Sequence, residues 1–116
     1  MKRAGEVTLT ETALSCVEQL ARFFPRAVPV HIPVQVTALR PGAAVLREHT
    51  IVECSATEHA IFLCTLPLEF ADRITIGPNG SGATIEAAVI AVQFHEGAKA
   101  VAVRFLKGSC DWMVPS

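Results

Sequence analysis

The sequence predicts an all-β domain, a small six-stranded antiparallel β-barrel preceded by one amphipathic N-terminal helix. Three observations predict it. Beyond Pro25 the apolar residues recur with the two-residue period of strands rather than the spacing of a helix. Clusters of Gly, Pro and Asn punctuate the chain at short intervals, as turns between strands do. A six-stranded open sheet would also leave two unpaired edges in so small a chain, and closure removes them. The 116 residues suffice for one domain, and a composition 51% hydrophobic and 18% charged predicts a packed core.

Residues 1–8 carry no periodic pattern. From Leu9 the apolar positions Ala13, Leu14, Val17, Leu20, Ala21 and Phe24 fall three and four apart, which predicts one buried helical face. Thr8 with Glu11 makes a capping box at its start, and Pro25 stops it, placing the turn at Phe24 or Pro25. The helix is expected to plug or flank one end of the barrel, with Phe23 and Phe24 as core or plug residues.

Strands are predicted over 28–39, Val45–Cys54, Ala60–Leu66, Arg73–Ile76, Ala83–Phe94 and Ala100–Phe105. In the first, Val28, Val30, Ile32, Val34 and Val36 share one side, while His31, Gln35 and Thr37 share the other. Pro29 and Pro33 cannot donate to a ladder, so its first half belongs at an edge or a bulge. Arg47, Glu48 and His49 lie in the second strand, where alternation predicts a solvated face. In the last, Val101, Val103 and Phe105 face one way and Arg104 the other. Arg40-Pro41-Gly42, Gly77 to Gly82 and His95 to Lys99 read as turns. The division expected is a tail and helix at 1–21, a barrel at 22–110 and a short tail at 111–116. Trp112, Met113 and Val114 in that tail would cap the barrel's open end.

Composition excludes several functions. Ten Lys and Arg against eleven Asp and Glu give a net charge of −1, so no global positive field draws in a nucleic-acid polymer. With no Tyr and one Trp, stacking surface for single strands is scarce. Glu6, Glu11 and Glu18 interrupt the apolar character of the first residues, which argues against a signal peptide. The richest apolar stretch, Ala87 to Phe94, is too short for a membrane span. Cys16, Cys54, Cys64 and Cys110 lack zinc-site spacing and are expected to be reduced and mostly buried, in keeping with a cytoplasmic protein.

Catalytic motifs are missing too. His31, His49, His59 and His95 form no zinc-protease pattern. His49 and His59, in adjacent predicted strands, could with Cys54 or Glu58 make a nominal metal set, but one without ligand spacing. Glu53 and Glu58 on a surface turn would stay ionised, and Ser55 lacks the glycines of a hydrolase elbow. The GPNGSG segment lacks the Lys and the following helix of a phosphate loop. A non-enzymatic protein without cofactor or metal is the expectation.

The arginines are more informative. Arg22 and Arg26 bracket the apolar segment RFFPR, and Pro25 between them frees their side chains from a common helical face. Each guanidinium is a rigid fork that fits phosphate or the O6 and N7 of guanine. The alternative is a pair of solvated cations complementing the helix dipole.

The order RFFPRAVPVHIPVQV, then a strand ending in ECSATEHAIF, then a glycine turn and AVAVRFLKG, resembles the PilZ domain over about residues 22–110. Arg22 and Arg26 match the family's pair of arginines separated by three residues. The family's second motif, Asp or Asn, any residue, Ser, two residues and Gly, falls on Glu53, Ser55 and Glu58, and keeps only the serine. The resemblance implies a six-stranded barrel that binds the bacterial second messenger cyclic di-GMP in a signalling role. Arg22 and Arg26 would grip phosphates and guanine, Glu53 would contact a base, and Ser55 would assist. Glu58 in place of glycine brings a negative charge towards a dianionic ligand, at a cost on the order of 1 kcal/mol, and removes backbone freedom, which could cost more. Two functions follow as expectations: a cyclic di-GMP-binding regulatory domain, with weakened affinity, or a barrel of the same fold that no longer binds the dinucleotide and serves as a protein–protein interaction module. Both imply a protein partner.

Overall fold

The computed structural model describes residues 16–38, 44–78, 84–108 and 110. Six strands follow one another as β1 (Val28–Ala38), β2 (Leu46–Ser55), β3 (His59–Leu63), β4 (Arg73–Pro78), β5 (Ile85–His95) and β6 (Ala98–Phe105). They close into a barrel in the order β1-β2-β3-β6-β5-β4, and every neighbouring pair is antiparallel. Closure comes from β4, which pairs with β1 on one side and β5 on the other.

Alternation fills the barrel. Val34, Val36, Val52, Phe62, Ile74, Ile76, Val89, Val101 and Val103 form one buried cluster inside it. The first half of β1 departs from that rule. Its register slips between Pro29 and Ile32, and β4 reaches it only at Val34 to Ala38, so the two prolines lie at a bulge and along a stretch without a described β4 partner. Val28 is accordingly exposed.

A second buried cluster lies outside the barrel wall. Cys16, Val17 and Leu20 pack on Ile61, Ala100 and Ala102, the outward residues of β3 and β6. These two strands are therefore buried on both faces, with Phe62 and Val101 inside and Ile61 and Ala102 outside. Alanines at 100 and 102 let the helical segment approach the sheet closely, and beyond that contact Arg104 is exposed. The face opposite Val101 and Val103, where the sequence places Arg104, is thus an interface at Ala100 and Ala102, and alternation alone could not reveal that.

The helical segment spans residues 16–21 and ends at Ala21, short of Pro25. The amides of Phe23 and Phe24 donate to the carbonyls of Leu20 and Ala21 at 3.1 and 2.9 Å, tightening the chain into a turn before the proline is reached. The segment flanks the wall of the barrel and does not plug its end. Phe23 is 74% exposed, contrary to its expected core role, and Phe24 is half-buried. The predicted helical residues 9–15, the capping box, Arg40-Pro41-Gly42, most of GPNGSG and Trp112 to Val114 lie outside the described residues.

Strand ends differ by a few residues from those expected. β3 stops at Leu63 because the chain then turns, with the Leu68 amide donating to the Leu66 carbonyl at 2.7 Å around Pro67. β6 starts earlier, at Ala98, because the β5–β6 turn needs only Glu96 and Gly97, both at positive φ (49° and 90°), which matches the strand twist of a tight hairpin.

Candidate functional site

The ladder registers bring two distant segments together. Val28 pairs with Ser55 across β1 and β2, and Ser55 pairs with Ala60 across β2 and β3. The chain entering β1 and the β2–β3 turn therefore emerge at the same end of the barrel. Backbone hydrogen bonds fix both. The Ala56 amide donates to the His59 carbonyl at 2.9 Å, the Ala27 amide to the Phe24 carbonyl at 2.9 Å, and the Phe105 amide to the Glu58 carbonyl at 2.9 Å. The Phe24 and His59 rings meet across the gap, with centroids 5.1 Å apart and planes tilted by 49°.

Between these segments lies a shallow pocket of about 300 Å³. Phe23, Phe24 and Arg26 line it from the β1 entry, and Thr57, Glu58 and His59 from the turn, with Pro25, Ala27 and Ala56 completing the lining. Of the five residues expected to bind a ligand, Arg26 and Glu58 are in this lining. Arg22 is exposed at the end of the helical segment, outside the lining. Ser55 is fully buried, so it stands behind the pocket instead of on its surface. Glu53 is half-buried on β2 beside the register slip between Val52 and Cys54. Burial pushes the thiol of Cys54, which packs with the outer cluster, up, and the carboxylates of Glu53 and Glu18 add to that rise.

The electrostatics of this end are mixed. His95 pairs with Glu96 at 3.1 Å in the β5–β6 hairpin, at the other end, whereas Arg26 and Glu58 share a pocket without an ion pair between them. Arg104 sits across the β3–β6 ladder from His59, and Lys107 follows Phe105, whose amide holds the turn. Arg22, Arg26, Arg104 and Lys107 are all exposed. Phe24, Thr57 and His59 were not assigned to a ligand site from the sequence. A histidine directly after the turn was the only available signal, and its pairing with Phe24 depends on the barrel's closure.

His59 and His49 do not come together. Val52 opposes Phe62 and Ser55 opposes Ala60, so the β2–β3 ladder carries His49 towards the other end, where its Nε2 lies 3.5 Å from the Gln35 amide nitrogen. Among the described residues no three His, Cys, Asp or Glu side chains gather as metal ligands.

A second cavity, about 460 Å³, lies at that other end against Leu63, Cys64, Phe94 and Lys99. Its polar groups are engaged. Glu48 accepts hydrogen bonds from the Cys64 thiol at 3.2 Å and from the Thr65 amide and hydroxyl at 2.8 and 3.1 Å. The Lys99 ammonium donates to the Leu66 carbonyl. Burial, with the hydrogen bond to Glu48, pushes the Cys64 thiol up to about 12, so it is no nucleophile at neutral pH.

Comparison with protein-family models, with curated proteins and with solved structures finds no match for this chain.

Proposed function

We propose that this protein is a non-enzymatic, cytoplasmic regulatory domain of PilZ type that binds cyclic di-GMP weakly at the Arg26 pocket and relays occupancy to a protein partner. The observation that supports it most is the meeting of two segments far apart in sequence. RFFPR and ECSATE, which carry the resemblance, adjoin the same end of a closed six-stranded barrel through the Val28–Ser55 pairing.

The chemistry of the lining agrees with an anionic, flat ligand. Arg26 offers a fork of donors for a phosphate, and the exposed ring of Phe23 offers a stacking face. A pocket of about 300 Å³ is at the small end for ligand sites, enough for one nucleobase and its neighbouring groups rather than a whole dinucleotide. The rest of the ligand would lie over the exposed surface near Arg22. Glu58 works against the dianion, and Ser55 is too buried to touch it directly, so affinity is expected to be low. Calorimetric titration of the purified chain with cyclic di-GMP tests this. Saturable heat that is lost in Arg26→Ala supports it, and no heat at roughly hundreds of micromolar ligand rejects it.

One observation favours a second reading. Phe23 is 74% exposed beside a pocket whose glycine position is occupied by Glu58, which suits an interaction module that has given up the dinucleotide. In that case a partner is retained from nucleotide-free extract, and Glu58→Gly leaves cyclic di-GMP affinity unchanged.

A further inference from the structure

We propose that the cavity at the far end of the barrel is a second binding site, which takes a small monocarboxylate with an apolar body, the carboxylate on the Lys99 ammonium and the body against Leu63, Phe94 and Ala98. The proposal is independent of the nucleotide reading, since none of these residues lines the Arg26 pocket.

The site grows out of the core. Val92 and Val101 are register partners across β5 and β6; Val101 is buried in the cluster that fills the barrel, and Val92 packs against it. Residues two apart on a strand share a face, so Phe94 and Lys99, themselves register partners, continue these inward rows beyond the filled interior. There the chain leaves β3, with the Cys64 amide donating to the Lys99 carbonyl at 3.0 Å, and a cavity of about 460 Å³ opens beside the hairpin. Phe94 is left 70% exposed at its rim. The mouth of a β-barrel is a common place for a small-molecule site, and this volume falls in the usual range of roughly 300–1,000 Å³.

The polar groups decide what such a cavity can hold. Glu48 already accepts hydrogen bonds from the Cys64 thiol and from the Thr65 amide and hydroxyl. The thiol keeps its proton at neutral pH and adds no charge. Among the described residues of the lining, Lys99 alone is charged. An ammonium has three donors, of which the Leu66 carbonyl takes one, and the nitrogen lies 6.0 Å from the centre of the Phe94 ring. A carboxylate at the rim can take the remaining donors, whereas a cationic ligand would meet like charge. The side chains of Leu63, Phe94 and Ala98 offer the rest of the ligand no hydrogen bond, so its body must be apolar. A second negative charge would lie there without a partner and face Glu48 beyond Cys64 and Thr65, which favours a monocarboxylate over a dianion.

Titration of the full chain with butanoate, hexanoate and octanoate, followed by backbone amide shifts, tests the proposal, with octylammonium as the probe of opposite charge. Affinity is expected to rise about fourfold per added methylene. Octanoate should bind about tenfold more tightly than octylammonium, with the largest shifts at Leu63 to Thr65, Phe94, Ala98 and Lys99. Lys99→Met keeps an apolar stem and should bring that ratio to within about twofold. Phe94→Ala, at an exposed position, should weaken octanoate binding about tenfold, and Arg26→Ala should leave it unchanged. Equal binding of the two probes, a preference that survives Lys99→Met, shifts centred on the Arg26 pocket, or no binding at roughly 10 mM octanoate overturns the proposal and leaves the nucleotide reading standing. Should Lys99→Met fail to fold for want of its bond to the Leu66 carbonyl, unchanged octanoate affinity in Phe94→Ala overturns the proposal in its place.

Discussion

Val28 and Ser55 are register partners across the β1–β2 ladder, although 27 positions separate them in sequence. That pairing turns two unconnected stretches of sequence into neighbours. It sets RFFPR beside the β2–β3 turn and makes Arg26 and Glu58 residues of one pocket. It also leaves Ser55 between β1 and β3 with no exposed surface, so any influence of this serine on a ligand is indirect, through its neighbours.

Arg26 lines the pocket and Arg22 does not, so the two arginines should be unequal. Arg26→Ala is expected to weaken cyclic di-GMP binding by about tenfold or more, consistent with loss of one charge-assisted contact, and Arg22→Ala by less. Calorimetry on the two variants checks the order.

Phe62 is fully buried inside the barrel among Val52, Val101 and Val103. Phe62→Ala should cost about 3–5 kcal/mol, a large part of the roughly 5–15 kcal/mol that stabilises an ordinary domain. The measurement is a lowered midpoint in urea unfolding followed by circular dichroism, or a chain that fails to fold.

Leu20 anchors the helical segment on Ile61 and Ala102. Leu20→Ala is expected to destabilise by about 2–3 kcal/mol, and Ala102→Glu to detach the segment by placing a charge under it. Hydrogen exchange should then rise at residues 16–21 and remain slow at Val34 and Val36 inside the barrel.

The Cys64 thiol gives a prediction with a definite sign. Its folded pKa is about 12 against an ordinary value of 9.0, raised by burial and by the hydrogen bond to Glu48. The folded state therefore keeps a proton that the unfolded state loses above pH ~9, and stability should fall as pH rises from about 9 towards about 12. Urea unfolding across that range measures it. The same thiol should resist alkylation at pH ~8 until the chain unfolds.

The barrel was legible because its evidence is local. Period-two apolar positions such as Val34, Val36, Val101 and Val103 mark strands wherever they pair, and turn residues such as Glu96 and Gly97 mark their ends. What was not legible depends on long-range packing. The apolar spacing predicts a helix running to Phe24, but the helical segment ends at Ala21, because Phe23 and Phe24 are drawn into a turn that brings Phe24 against His59. The outward residues Ala100 and Ala102 are buried only because that segment covers them. Among the candidate ligand residues, Arg26 and Glu58 share a pocket, and sequence alone could not separate them from Arg22, Glu53 and Ser55, whose positions depend on turn geometry and on the register slip in β2.

The proposed function places an anionic nucleotide in the pocket between the β1 entry and the β2–β3 turn. Backbone amide chemical shifts recorded during a cyclic di-GMP titration test it most directly. Saturable changes are expected at Phe23, Phe24, Arg26 and at Thr57 to His59, with Leu63, Phe94 and Lys99 at the far end unmoved. Changes confined to that far end, or none at roughly hundreds of micromolar ligand, would contradict it.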